Sequence, residues 1–192
     1  MLQAFVFDET AIIVRHWFEI GPDADEHGAR VEIRRRVRHP HRGSESAPQI
    51  LELDGLVWRA DLFDLVGAEP GNFSCAHHHL NFEGIEPIDR SWDEELSADP
   101  LAWTEARLRD YGSILAARGV VLDDAEAEQR DVLHVLPSIM RAVAEAAGAR
   151  CLSRRDCLQA TRDTTEIVMM MASLFRSDAP GGPRDPRLAA AD

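Results

Sequence analysis

Hydrophobic and polar residues alternate along the first half of the chain. One face of residues 11–20 carries Ile12, Val14, His16, Phe18 and Ile20. After the turn-rich segment 21–28, residues 29–38 alternate again, and one face carries Val31, Ile33 and Val37. Alternation with period two is typical of half-buried β-strands, so these segments predict an antiparallel hairpin closed by an eight-residue loop.

Three further segments extend this strand pattern. Residues 3–7 predict an opening strand, and residues 72–84 predict a late strand that contains three consecutive histidines. Between them, Asp54-Gly55 separates two apolar runs, which is a strong signal for a tight hairpin. We therefore expect five or six strands in a mainly antiparallel, meander-like sheet, or in a half-barrel formed from it.

The hydrophobic period changes to that of helices after residue 98. Asp99-Pro100 is typical of a helix start. Three helices are predicted, at residues 100–118, 124–147 and 153–175. Pro137 is expected to kink or split the second of them.

These patterns predict an α+β fold in a single domain. Residues 1–90 are expected to form the sheet part, residues 91–176 a three-helix part packed on it, and residues 177–192 a disordered tail. The apolar face of the second helix is broad enough to be buried on two sides. We therefore expect a homodimer formed through the helical half.

Charge and composition restrict the class of protein. The 192 residues include 21 cationic side chains, all of them Arg, and 34 acidic ones, for a net charge of −13. Such acidity argues against a protein that binds duplex DNA, because neutralisation of the phosphates by cationic side chains supplies most of the affinity for DNA. The chain has no apolar run of the roughly 18 residues that a membrane span needs. With no basic segment before the first apolar stretch and no CxxC pair, we expect a cytoplasmic location.

The three consecutive histidines suggest a metal site. On a strand, His77 and His79 share a face with Glu83, whereas His78 points to the other face. Two imidazoles at this spacing have Cα atoms about 7 Å apart and can reach one ion. Two neutral imidazoles and a carboxylate suit a divalent transition metal such as Zn, Fe, Mn or Ni. We therefore predict His77, His79 and Glu83 as metal ligands. The alternative is that the three histidines of this strand only form hydrogen bonds, at the surface or in the core.

The spacing of these residues resembles the first conserved motif of the cupin superfamily. The pattern is Pro70-Gly71, five residues, His77, one residue, His79, three residues and Glu83. The resemblance implies that the two histidines and the glutamate are metal ligands on a β-barrel strand, with a further histidine supplied by a second motif. Arg90 stands where the motif has glycine, and the chain turns helical where a cupin barrel would add its remaining strands.

Two polar residues interrupt otherwise apolar strand faces. His16 shares a face with Val14 and Phe18, and Arg35 shares one with Ile33. A charged Arg in a packed core is costly without a partner, so both residues are expected to line a pocket. His16 would then complete the metal site, and Arg35 would orient an anionic small-molecule substrate. A bulge that shifts the strand register is the alternative explanation.

Residues 30–42 form a basic stretch within this acidic chain. They include six Arg and a single acid, Glu32. The stretch suits phosphate or an RNA backbone, and it equally suits a charged edge strand that discourages aggregation. The order of strands, ending in a His-rich strand followed by residues 84–87, resembles small toxin proteins of the TumE type.

Three functional hypotheses remain open from the sequence, and whether the protein is an enzyme is one of the open points. The first is a small metal-assisted enzyme that acts on an anionic small molecule. The second is a non-enzymatic acidic interaction protein, similar to immunity proteins or antitoxins, that matches a basic target. The third is a toxin-like protein that cleaves nucleic acid through His and Arg without metal.

Overall fold

The computed structural model confirms the α+β fold. The residues that the structure describes are 1–21, 23–37, 39, 52–83, 86–150, 153, 155–156 and 158–159. Most of the predicted third helix, all of the predicted tail and most of residues 38–51 lie outside the described residues. The homodimer remains a prediction.

Five strands form one antiparallel sheet in the order of the chain. They are β1 (Leu2–Val6), β2 (Thr10–Ile20), β3 (Asp25–Val37), β4 (Glu52–Leu65) and β5 (His77–His79). A separate two-stranded ribbon consists of β6 (Phe82–Glu83) and β7 (Glu86–Pro87). Within the described chain β1 and β5 are the two edges, so the sheet is open and does not close into a barrel.

The hairpin predicted at Asp54-Gly55 is wrong, because this dipeptide lies inside β4. Ile33 of β3 pairs with Trp58 and Arg36 pairs with Leu53, so three steps along β3 correspond to five along β4. The extra residues are absorbed as bulges, a role for which glycine in a strand is well suited. Asp and Gly favour a turn, but in β4 they lie in an irregular stretch of one continuous strand.

In the part of the chain that the structure describes, four helices follow the sheet. They are α1 (Glu94–Ala98), α2 (Pro100–Arg109), α3 (Tyr111–Ala117) and α4 (Ala125–Ala147). The predicted helix at 100–118 is divided at Asp110, whereas α4 continues through Pro137 without being split. Among the described helices, none has the length and apolarity that a bilayer crossing requires.

The helices cover one face of the sheet and form the main core with it. The sheet contributes mainly Ile12, Val14, Val31, Ile33, Trp58 and Leu62, and the helices contribute mainly Leu108, Leu136, Ile139 and Val143. Because side chains alternate along each strand, the positions between these sheet residues point to the opposite face. That opposite face carries the polar groups considered below.

A line of hydrogen bonds between three buried side chains connects the helices to β2 at the edge of this core. The Tyr111 hydroxyl donates to Thr10 Oγ1 at 2.6 Å, and Thr10 Oγ1 donates to Glu128 Oε1 at 2.5 Å. All three side chains are almost completely inaccessible to solvent. These two hydrogen bonds therefore join β2, α3 and α4 through side chains that have little access to water.

We expect Thr10→Val to lower the free energy of unfolding by about 2–3 kcal/mol. Valine keeps the shape of threonine but leaves the Tyr111 hydroxyl and one Glu128 oxygen without their buried partner. Chemical denaturation of the two proteins measures the difference. Thr104→Val is the matched control, because buried Thr104 bonds only the Pro100 carbonyl of its own helix. Equal losses in the two variants would contradict the role given to Thr10.

Candidate metal centre

Two rows of mostly charged side chains cross the sheet on the face turned away from the helices. The first row consists of Arg15, Arg30, Asp61 and His77, on β2, β3, β4 and β5. The second consists of Ile13, Glu32, Arg59 and His79, on the same strands. Residues opposite each other on paired strands share a face, so strand register alone brings these groups together.

The carboxylate of Asp61 is the centre of this polar layer, and it is completely buried. Its Oδ1 accepts from Arg30 Nε at 2.7 Å, and its Oδ2 accepts from Arg59 Nε at 2.7 Å. The Nε2 atoms of His79 and His77 lie 3.1 Å and 3.4 Å from the same Oδ2. Because Arg30 Nη2 also donates to Oδ2 at 3.2 Å, this one carboxylate oxygen is approached by two guanidinium groups and two imidazoles.

Glu19 completes the set of charges. Its Oε1 accepts from Arg59 Nη2 at 2.8 Å and also from Arg30 Nη2. With Asp61, these residues make two cations and two anions, so the four formal charges sum to zero. We refer to these four residues together with His77 and His79 as the Asp61 cluster.

Both imidazoles of the Asp61 cluster are held by backbone carbonyls. His77 Nδ1 lies 2.8 Å from the Cys75 carbonyl oxygen, and His79 Nδ1 bonds the Asp89 carbonyl oxygen. A carbonyl can only accept, so each Nδ1 carries a proton. Each Nε2 then faces Asp61 Oδ2, and this contact is attractive only when a proton or a metal cation lies between the two atoms.

This donor set can hold a metal ion. One ligand atom from each of Asp61, His77 and His79 lies within 4.8 Å of the other two. Histidine ligands of metals usually donate their other ring N–H to a carbonyl or carboxylate, as both of these rings do. Two imidazoles and one carboxylate favour a divalent transition metal and leave coordination positions for other ligands.

The neighbours of Asp61 lower the pKa of its buried carboxyl group. Burial by itself raises the pKa of this carboxyl, but the charge of Arg30, the contacts with His77 and His79 and the charge of Arg59 outweigh it. Together they hold the pKa of Asp61 well below its usual range. The carboxylate is therefore available as an anionic ligand at neutral pH.

A surface cavity of about 420 Å³ reaches the Asp61 cluster from outside. Its lining includes Arg59, His79, Glu19 and Arg90. Arg90 is partly exposed, and its Nη2 pairs with Glu19 Oε2 at 2.9 Å. A solute in this cavity would therefore meet His79 and two guanidinium groups.

The structure brings together only two of the five residues predicted for the site. His77 and His79 converge on Asp61. Glu83 is exposed on β6, because β5 ends at His79, where the Asp89 carboxylate accepts the N–H groups of the next two residues. His16 is buried on the helix-covered face, and Arg35 is exposed where the β3–β4 register shifts.

Sequence reasoning missed the carboxylate and both arginines. Arg59 and Asp61 are charged residues at alternate positions within an apolar strand, and this pattern indicates that one face of the strand is polar. Arg30 was assigned to the basic stretch, but it is buried and paired with Asp61. Arg34 of the same stretch pairs with Glu32 at 3.0 Å. These two arginines therefore form ion pairs within the sheet rather than a phosphate-binding surface.

His16 belongs to a second histidine pair beneath the helices. Its Nε2 lies 3.4 Å from Nδ1 of His27 on the neighbouring strand, and both side chains are buried. Burial, followed by the charges of His27 and of the chain N-terminus, lowers the pKa of His16 to about 4. Burial lowers the pKa of His27 as well. Both rings are therefore neutral in the folded protein at pH 7.

We expect the stability of the fold to fall as the pH drops from about 6.5 to about 4. In this window the unfolded chain protonates His16 while the folded protein keeps it neutral, so acid favours unfolding by about 2–3 kcal/mol. Urea denaturation at a series of pH values measures the loss. His16→Gln with His27→Gln should flatten the curve in this window. An unchanged pH dependence in the double variant would assign the effect to other groups.

Comparisons with protein-family models, curated proteins and solved structures gave no match for this chain. Inferences about its activity therefore depend on the Asp61 cluster and the cavity above it.

Proposed function

We propose that the protein is a metal-assisted enzyme that acts on a small anionic molecule. Asp61, His77 and His79 would hold a divalent transition metal, with Asp61 in the role predicted for Glu83. The metal would act as a Lewis acid or would activate water or dioxygen. The observation that carries this proposal is the orientation of both imidazoles, whose Nε2 atoms face the same carboxylate oxygen.

The charges of the Asp61 cluster support an anionic substrate. Arg30, Arg59, Glu19 and Asp61 are neutral as a set, so a divalent cation would leave two positive charges in a buried site. An anion in the adjoining cavity offsets this excess, and Arg59 and Arg90 provide hydrogen-bond donors for it. Metal and anion are therefore expected to bind with positive coupling.

Metal titration of the chelator-treated protein tests the proposed ligands. We expect Zn²⁺, Mn²⁺, Ni²⁺ or Fe²⁺ to bind at one site per chain in calorimetry. His79→Gln removes one ligand nitrogen and should weaken binding at least about 100-fold. Glu83→Gln is the matched control and should bind as the unmodified protein does, because Glu83 is exposed and remote from Asp61. Equal affinity in the two variants would contradict this ligand set.

Turnover tests the enzymatic part of the proposal separately. The metal-loaded protein is given para-nitrophenyl phosphate as an anionic ester and para-nitrophenyl acetate as a neutral one. Dioxygen consumption by the Fe²⁺-loaded protein is followed with and without small carboxylates. Selective turnover of the anionic probe, or carboxylate-dependent dioxygen uptake, supports the proposal. Failure of both assays in a protein that binds metal would favour a binding role instead.

A further inference from the structure

A second cavity lies on the helix-covered face of the sheet. It has a volume of about 370 Å³ and is formed by β4, β5 and the helices α2 and α3. Cavities of this size are within the range of small-molecule sites. His78 contributes to its wall, whereas His77 and His79 point to the other face of the same strand. The cavity is therefore separate from the Asp61 cluster.

The walls of this cavity are mainly apolar and include a flat aromatic surface. Trp58 lines it and is stacked on Trp103, with ring centroids 5.9 Å apart and planes inclined by 24°. His78 packs on Trp103 with ring centroids 5.0 Å apart, and Ile114 contributes from α3. Planar, well-packed walls of this kind favour a planar apolar ligand, because stacking adds to the burial of its surface.

Two arginines give the cavity a positive rim within an acidic protein. Arg118 donates from Nη1 to the Leu80 carbonyl at 2.7 Å, while its buried Nε has no hydrogen-bond partner among the described residues. Arg107 is half-exposed, and its guanidinium lies 5.0 Å from the centre of the Trp103 ring. Asp110 is the single acid in the lining, and its Oδ1 accepts from Ser113.

His78 adds a further unsatisfied polar atom. Its Nδ1 is buried and lacks a hydrogen-bond partner within the described structure. Buried polar atoms in native proteins are nearly always hydrogen-bonded, so an orphaned one in a cavity wall leaves a bonding position for a ligand or a water molecule. The cavity thus combines apolar walls, two cations and unsatisfied polar groups.

We propose that this cavity binds a small aromatic carboxylate. Its ring would lie against Trp58 and Ile114, and its carboxylate would meet the guanidinium groups of Arg107 and Arg118. A planar ligand of two fused rings is small enough for the volume, and its carboxylate would share Arg107 with Asp93, whose Oδ2 lies 3.9 Å from Arg107 Nη2. The proposal is independent of the metal centre and of the function proposed above.

Calorimetry with naphthalene-2-carboxylate, and with 2-naphthamide as its neutral analogue, tests this site. We expect saturable binding of the carboxylate, with quenching of tryptophan fluorescence, and binding of the amide that is at least about tenfold weaker. Arg107→Gln should weaken carboxylate binding by about five- to tenfold. Arg109→Gln is the matched control and should have no effect, because exposed Arg109 pairs with Glu105 on the same helix outside the cavity.

Two substitutions that fill the cavity complete the test. Ile114→Trp should abolish binding, and Ala117→Phe, at an exposed position in the lining, provides the same obstruction with less risk to folding. Circular dichroism establishes that each variant is folded. The proposal is overturned if the unmodified protein shows no saturable binding, if the amide binds as tightly as the carboxylate, or if a folded cavity-filled variant still binds.

Discussion

Asp61→Ala should lower the free energy of unfolding by about 3–5 kcal/mol, the largest stability effect we expect for a single substitution in this protein. The substitution leaves Arg30 and Arg59 buried with only Glu19 between them. Removing one partner from a buried charge network costs far more than the network itself contributes, because the remaining charges stay out of water. Chemical denaturation at neutral pH measures the loss.

Two controls separate this effect from a general weakening of β4. Asp54→Ala changes an exposed carboxylate on the same strand and should alter stability by less than about 0.5 kcal/mol. The triple variant with Asp61→Leu, Arg30→Met and Arg59→Met removes the three most deeply buried charges of the Asp61 cluster and should regain most of the lost stability. A triple variant no more stable than Asp61→Ala would show that the charges are not the cause.

Arg59→Gln should strengthen metal binding at least about tenfold, although it removes a residue that contacts the proposed ligand. The guanidinium of Arg59 lies 2.6 Å from Asp61 Oδ2, the oxygen that a metal would use. Two unit charges about 4 Å apart interact by about 4 kcal/mol at an effective dielectric constant of about 20, so the arginine opposes a cation at this place. The glutamine side chain keeps a hydrogen-bond donor without the charge.

The same variant should lose the coupling between metal and anion. In the unmodified protein, inorganic phosphate is expected to raise the affinity for Zn²⁺, and in Arg59→Gln this rise should be small. Arg90→Gln at the partly exposed rim of the cavity is the control: it should weaken phosphate binding and leave the affinity for metal within about twofold. Weaker metal binding in Arg59→Gln would instead make Arg59 a residue that positions Asp61.

The sheet could be predicted from the sequence because its alternating strands are long and follow one another along the chain. Residues 11–20 correspond closely to β2, and the opening strand was also found, but β3 begins at Asp25, so residues 21–24 replace the predicted eight-residue loop. The interior of β4 was not predicted, since Asp54-Gly55 carries the chemistry of a turn and is used for a bulge. Local preference for a turn was overridden by pairing with β3 along the whole length of β4.

Two of the three proposed metal ligands could be predicted, for a physical reason. His77 and His79 are neighbours on one strand, so their shared face follows from alternation alone. Asp61 lies on the adjacent strand, and its position opposite His77 depends on register, which no single-strand pattern contains. Glu83 was the wrong carboxylate, because the predicted strand continued past His79 and the real one stops there.

Strand β1 has a consequence for how the protein behaves in concentrated solution. It forms one edge of the sheet in the described chain, and its five residues include no charged side chain and no proline. Such an edge can template pairing with a second molecule. At pH 7 the net charge of −13 keeps molecules apart, but near the isoelectric point of about 5.0 this repulsion vanishes while the edge remains. Colloidal stability should therefore be lowest in mild acid, where strand-to-strand association between molecules competes with the folded monomer.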